Sequence, residues 1–539
     1  MRPLRAASIA LPLSLFASCA SRPAPASGGW IPPRTEAELS GYARTTRSAD
    51  VEAFLDACVA RAPDVLRRVS IGRTEEGRDL AAVIAGSPPP ESLEAVARSG
   101  RPAALVMANI HAGEVEGKEA SLTIVREIAE GRHRGLLDRV VAVFLPNYNA
   151  DGNERVDRRN RPDQAGPVEG VGSRPNANGL DLNRDFVKVA AKETRALLAA
   201  ARAMNALLVI DCHATNGSFH GYDLTYAGPL NPGTDPELLE LVRDAFLPAV
   251  RLRMAAEGFR TFDYGNWVDE NDPAKGWATF EPRPRFGNSY FGLRNRLTLL
   301  SEAYSHDPFE KRIAATRALT LAGLAELARR GESIAAACAA ADRRGEAGVE
   351  PLPTRSELQF TRAREPVPVG SVIETPDPVT GLVRQWDSNV SRDVEMPVYL
   401  HFDGVGRRPL PAWGWAVRRP SGRLLEAVAA HGLRFRRLER AARAVLREFV
   451  VAEAVRAATP FQDVRLTTWR GGDRVTAGEL PEGTLVIPSR QPAARLAFSL
   501  FEPESEDGFG TWGLLGAETG ADGASTFEAL RLETAPDAF

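Results

Sequence analysis

Between residues 50 and 335 the chain switches repeatedly between short apolar runs and longer stretches of helical period. The runs are Ala104 to Ile110, Val140 to Leu145, Leu207 to Ile210 and Leu297 to Leu300. Two strand-like pieces precede them, Arg67 to Ile71 and Asp79 to Ala85, joined by a turn at Glu75-Glu76-Gly77. The helical patterns are Lys118 to Glu130, Lys188 to Met204, Pro236 to Ala256 and Glu310 to Arg330. An apolar run without polar alternation suits a strand covered on both faces. Strand then helix, repeated, suits a sheet enclosed by helical layers. The expected fold is α/β: a mixed, largely parallel central sheet flanked by helices, plus a smaller β-rich C-terminal domain.

That second domain is expected because 539 residues exceed what one core usually holds. From Ala335 to Pro353 the chain becomes rich in Ala, Arg, Gly and Pro, which reads as a linker. Beyond it come short strand-like pieces at Val398 to Phe402, Trp413 to Arg418, Val464 to Thr468 and Gly483 to Ile487. One helical pattern, Leu424 to Ala430, stops at His431-Gly432. The expected boundaries are an export signal at 1–19, a tether at 20–34, the α/β domain at 35–335, a linker at 336–353 and the β-rich domain at 354–539.

The export signal rests on Arg2 and Arg5 followed by the apolar stretch Ala6 to Ala17, too short to span a bilayer. Phe16-Ala17-Ser18-Cys19 resembles the processing site of bacterial lipoproteins, with Phe16 where Leu is usual. The expectation is an exported protein of the periplasm or cell envelope, held to the membrane by lipid on Cys19; cleavage after Ala20 is the alternative. The net charge of −3 gives no basic surplus for nucleic acid. The arginines from Arg434 to Arg443 are interleaved with Phe, Leu, Glu and Ala and read as the solvated side of helices. Apart from Cys19, the cysteines are Cys58, Cys212 and Cys338, which allow at most one intramolecular disulfide.

Chemistry concentrates where the apolar runs end. Ala104 to Ile110 leads into His111-Ala112-Gly113-Glu114, and Leu207 to Ile210 into Asp211-Cys212-His213. Imidazole nitrogens and a carboxylate are zinc ligands, and three of them leave a position for water at a catalytic ion. H-x-x-E alone is a short pattern, but the chain has seven histidines and two of them follow candidate core strands. Gly179 to Phe186 contains Asp181, Asn183 and Arg184, and an adjacent Asn and Arg can clamp a carboxylate. Leu297 to Leu300 runs into Ser301-Glu302, a carboxylate at a strand end that would be costly to bury without work or partners.

These four motifs, in this order and spacing, resemble those of the zinc carboxypeptidase (metallocarboxypeptidase) family over about residues 35 to 330. The resemblance implies one zinc ion per chain, held by His111, Glu114 and His213. It implies Glu302 as general base, Asn183 and Arg184 as the pair that binds the terminal carboxylate, and Asp181 as the acid that orients His111. Arg158 matches the arginine that stabilises the oxyanion, with Arg159 and Arg161 as alternatives in the same run. The family's substrate-covering tyrosine has no secure counterpart, since Tyr290 stands closer to Glu302 than that role suggests. The implied activity is hydrolysis of C-terminal residues from peptides in the cell envelope by zinc-activated water, on a substrate with a free C-terminal carboxylate. Two rivals are a peptidoglycan peptide amidase on the same scaffold and a non-catalytic envelope binding protein. The second would be marked by a lost ligand or base, and all four residues are present.

Overall fold

The computed structural model describes residues 29–215, 217–520 and 523–537. The export signal and Cys19 lie outside the described residues. Residues 32–539 make one compact unit, and Gly29 to Ile31 fall in the short unit before it.

Eight strands form the central sheet: β1 (Leu66–Arg73), β2 (Asp79–Ala85), β3 (Ala103–Ala108), β4 (Val141–Leu145), β5 (Leu208–Ala214), β6 (Leu224–Ala227), β7 (Thr261–Asp263) and β8 (Leu297–Ala303). Their order across the sheet is β1-β2-β4-β3-β5-β8-β6-β7. Neighbours β4, β3, β5 and β8 are parallel, while β1, β2 and β6 pair antiparallel to their inner neighbours. The expected mixed, largely parallel sheet is therefore present. Every residue of β3, β4, β5 and β8 is buried, which is why these segments read as unbroken apolar runs.

Helix α1 (Ser48–Arg61), α2 (Glu116–Ala129), α3 (Lys192–Ala203), α4 (Gly287–Leu293) and the long α5 (Phe309–Ala347) cover the sheet. Helix α2 comes unusually close to β5: a Cβ on Gly117 would collide with the Cβ of Cys212. This packing fixes the strand end just before His213.

Two expectations change. Helix α5 runs through Ala347, across most of the stretch read as a linker. Ala and Arg are good helix formers, and Ile334, Cys338 and Ala341 recur on one face and are buried. The arginines near Arg436 lie on a two-residue strand, Arg436–Arg437, and Ala442 opens another strand, so they are not a helix side.

The C-terminal segment is β-rich, as expected, but its largest features are two long hairpins. One pairs β9 (Arg362–Pro376) with β10 (Val383–Tyr399); the other pairs β12 (Ala442–Arg456) with β13 (Thr467–Leu480), after the short strand β11 (Gly414–Val417). One small cluster, including Ala416, Leu446, Leu480, Val486 and Leu530, is its own, but its larger apolar side is shared with the α/β part. Leu105, Met107, Leu197, Tyr290 and Phe291 share one cluster with Trp415, Leu424, Phe498 and Trp512.

Candidate active site

At the carboxyl end of β3 the chain leaves the sheet through Asn109, whose φ of 65° turns it sharply. The His111–Glu114 turn is closed by the Glu114 N–H donating to His111 O at 2.9 Å. His213 is next to last in β5, and parallel β8 sets Glu302 opposite it in register. Paired residues of neighbouring strands present their side chains on the same face. Three separate chain segments thus deliver His111, Glu114, His213 and Glu302 to one place at the strand ends, where open α/β sheets bind ligands.

The geometry of the first three suits a cation. His111 Nδ1 lies 3.1 Å from Glu114 Oε1, and His213 Nδ1 lies 2.9 Å from Glu114 Oε2. Their donor atoms fall within 4.8 Å of one another, and all three residues are buried. The remaining ring nitrogens face carboxylates: His111 Nε2 is 3.0 Å from Asp181 Oδ1, and His213 Nε2 is 3.1 Å from Asp211 Oδ2. Asp181 holds the His111 ring by a hydrogen bond and Asp211 stands as an acid close behind His213, leaving both Nδ1 atoms facing the same buried carboxylate. Such N, N, O sets, oriented through the far ring nitrogen, are what zinc takes. Asp181 was expected in this role. Asp211 was not, although its place two residues before a ligand at a buried strand end was visible.

Acids and bases face one another closely here. Burial alone would raise the Glu114 carboxyl, but His111 and Arg161 hold it well below the usual range. Burial likewise opposes ionisation of Asp181 and is outweighed by His111 and Arg174. Glu302 behaves oppositely. Burial, aided by the negative charge of Glu114 and opposed by His213, pushes it up to about 8.

The arginines are rearranged from expectation. Arg158 turns away and reaches Asp377 Oδ2 at 3.4 Å, because the β9–β10 hairpin brings that acid alongside. Arg159 is exposed and faces Asp157. Arg161 donates to Glu114 Oε1 at 2.8 Å, and Arg174 pairs with Asp181 Oδ2 at 2.9 Å and approaches Glu114 Oε1 at 3.5 Å. Arg174 sits in a Gly/Pro/Asn-rich loop, where no local pattern singles it out. Asn183 and Arg184 are both at the site. Asn183 Oδ1 accepts from the Gly287 N–H at 3.1 Å, and the Arg184 guanidinium lies 4.2 Å from the Phe286 ring centre. Tyr290 is remote from this chemistry: it is fully buried, with its hydroxyl 2.9 Å from His431 Nδ1. Tyr264 is the tyrosine at the site, its hydroxyl pushed up by burial and by the charge of Glu302.

These groups open onto a cavity of about 560 Å³, lined by His111, Glu114, His213, Arg184, Glu302 and Phe286 among others. A second chamber of about 650 Å³, lined by Arg161, Ser218, Trp267 and His306, shares Arg174 with it. Arg174 stands where the two chambers meet, and the metal set and Glu302 line the first of them.

Residues 51–246 match the family model described as zinc carboxypeptidase. This chain carries a zinc carboxypeptidase domain. Rat Carboxypeptidase D is 34% identical over 151 residues, which is 25% of this chain and 11% of the relative. Mouse Carboxypeptidase M is 29% identical over 141 residues, 25% of this chain and 29% of the relative. The chain thus spans only a small part of the length of these curated relatives. A metallo-carboxypeptidase structure from Burkholderia cenocepacia aligns with 22% identity and a TM-score of 0.39, over 53% of this chain and 69% of that one. The carboxypeptidase family uses zinc, and His111, Glu114 and His213 form a donor set that fits one ion.

Proposed function

We propose that the protein is a zinc-dependent carboxypeptidase that removes residues from the free C-terminus of peptides. The observation that carries this is the meeting, in one cavity, of the His111–Glu114–His213 set with Glu302 and Arg184. When bound, zinc lowers the pKa of a water and polarises a carbonyl.

The chain's own groups supply the rest. Glu302 is buried beside the metal set, opposite His213 on the neighbouring strand. A carboxylate so placed takes a proton from the attacking water and returns it to the departing amine. Arg184 offers a planar fork to a terminal carboxylate, fixed by stacking on Phe286. Asn183, anchored by Gly287, stands beside it. Arg174, at the junction of the two chambers, is the guanidinium placed to meet charge developing on the carbonyl oxygen. An envelope location through lipid on Cys19 belongs to the same proposal and rests on residues 1–20 of the sequence alone.

Glu302→Gln tests the assignment. Glutamine keeps the shape but cannot accept and return a proton, so turnover should fall by about 10²–10⁴. Zinc content and peptide binding should stay near wild type, because the metal set and Arg184 are untouched. Turnover near wild type in a zinc-loaded Glu302→Gln preparation would remove Glu302 as base. Equal cleavage of C-terminally amidated peptides by wild type would remove the exopeptidase reading. Cleavage of cell-wall peptides alone would move the substrate to peptidoglycan.

A further inference from the structure

The cavity around His111 and Glu302 has a wall that comes from the C-terminal segment, far from the family-matched residues. Ala457, Thr459, Phe461 and Leu466 line it, all from the connection between β12 and β13. This connection is a built structure. Phe461 and Val464 exchange backbone hydrogen bonds at 2.8 and 3.0 Å, and Gln462 and Asp463 between them have φ of 49° and 62°. Two successive left-handed residues make the tight turn whose twist matches a hairpin. Glutamine seldom takes that conformation, and residues held there tend to serve a site. The Gln462 side chain reaches the metal set's surroundings directly. Its Oε1 accepts the N–H of Asp181 at 2.9 Å, fastening the tip to the residue that orients His111.

Phe461 is backed by a buried ion pair. Arg285 donates to Asp507 from Nε at 2.8 Å, and its guanidinium lies 5.1 Å from the Phe461 ring centre and 5.0 Å from that of Trp512. Trp512 Nε1 donates to Asp507 Oδ1 at 2.9 Å. So supported, Phe461 still leaves 37% of its surface exposed and borders the cavity. Phe280, Phe286 and Leu300 also line the cavity, with Phe280 and Phe286 edge to face at 5.3 Å.

The charges decide what side chain this space suits. Four guanidiniums line the cavity. Arg174 has a carboxylate at 2.9 Å, Arg283 has Glu281 at 2.8 Å, and Arg285 has Asp507 at 2.6 Å. Arg184 has none nearer than Asp181 at 4.0 Å. One cation is left for a substrate carboxylate; Phe280, Phe286, Phe461, Leu300 and Leu466 give the lining its apolar surface, beside the polar Glu281, Asn288 and Thr459.

We propose that the 457–466 tip is the outer wall of the pocket for the departing C-terminal residue, and that Phe461 makes this pocket select a large apolar side chain. This rests on the carboxypeptidase reading for the placement of the terminal carboxylate at Arg184. The test is binding, so that it does not depend on turnover. Zinc-loaded Glu302→Gln protein is titrated calorimetrically with N-acyl dipeptides ending in Phe, Leu, Glu or Gly. Phe- and Leu-ended ligands should bind about tenfold or more tighter than Glu- and Gly-ended ones. Adding Phe461→Ala should contract that ratio to about twofold, while Phe461→Leu should keep most of it, with zinc content serving as the check on folding. An unchanged ratio in Phe461→Ala, a preference for the Glu-ended ligand, or no binding of any ligand would overturn the proposal. Wild-type protein assayed for hydrolysis of the same ligands separates the two readings. Preference without turnover would refute the peptidase and leave the pocket assignment standing.

Discussion

Asp211 shows how a single residue can matter without touching a substrate. Its carboxylate stands 3.1 Å behind His213, as Asp181 stands 3.0 Å behind His111. Removing such a partner typically costs 10–100-fold in metal affinity. Asp211→Asn should therefore weaken zinc binding by about that factor, measured by competition with a chelator, while leaving the fold and Arg184 in place. Unchanged affinity would mean that the Asp211 contact does not orient the ring. That the metal set, Glu302 and the Asn183–Arg184 pair would meet in one place was legible because each follows a strand or loop whose pattern is local in sequence. Arg158 was misplaced because alignment within a run of arginines says nothing about which one a distant acid will draw away. Asp377, on a hairpin invisible to local reading, decides it.

At the level of elements, the helices that cover the site face are tied together by Glu127 near the end of α2. Arg317 of α5 donates to both its oxygens, at 2.9 and 2.7 Å, and His133 and Arg132 add contacts at 2.8 and 3.2 Å. Burial opposes the charge, but the bonds from His133 and Arg317 bring the Glu127 carboxyl down to about 2. A depressed folded-state pKa stabilises above the unfolded value near 4.5 and is lost as pH falls toward about 2. Glu127→Gln should lower stability at pH 7 by on the order of 1–2 kcal/mol, solvent around Arg132 screening the rest. It should also flatten the loss of stability between about pH 4.5 and 2, read from urea midpoints across that range. A variant with the wild-type acid slope would show that Glu127 does not carry it. Both helices were readable from apolar periodicity. The long hairpins were not: most of β9 and β10 is exposed or half-buried, and the apolar alternation at Val394, Met396 and Val398 is too short to mark a strand of seventeen residues.

For the molecule as a whole, the composition change at 335–353 marked a change in element type rather than the end of a core. Tyr290, Phe186 and Leu197 of the α/β part lie in the same apolar cluster as Trp415, Val428 and Trp512. Polar links cross as well. His431 Nε2 lies 2.9 Å from Val187 O, its Nδ1 faces the Tyr290 hydroxyl, and Arg495 reaches Asp235 at 3.2 Å. Removing residues 354–539 would expose this apolar face, leave the buried Tyr290 hydroxyl without its partner, and strip the cavity of the wall containing Phe461. Each buried polar group left unmatched costs about 1–3 kcal/mol, comparable to a sizeable part of a domain's roughly 5–15 kcal/mol stability. The full chain should therefore melt in one cooperative calorimetric transition that moves as a whole when zinc is added. Residues 32–353 expressed alone should aggregate or bind a hydrophobic dye, and should fail to hold stoichiometric zinc. A monomeric 32–353 fragment with its own sharp melt and a full zinc site would show that the C-terminal segment is an appendage. The shared cluster and the Gln462 contact to Asp181 argue instead that the segment that shapes the pocket also completes the core, so that selectivity and stability cannot be cut apart at the linker the sequence suggested.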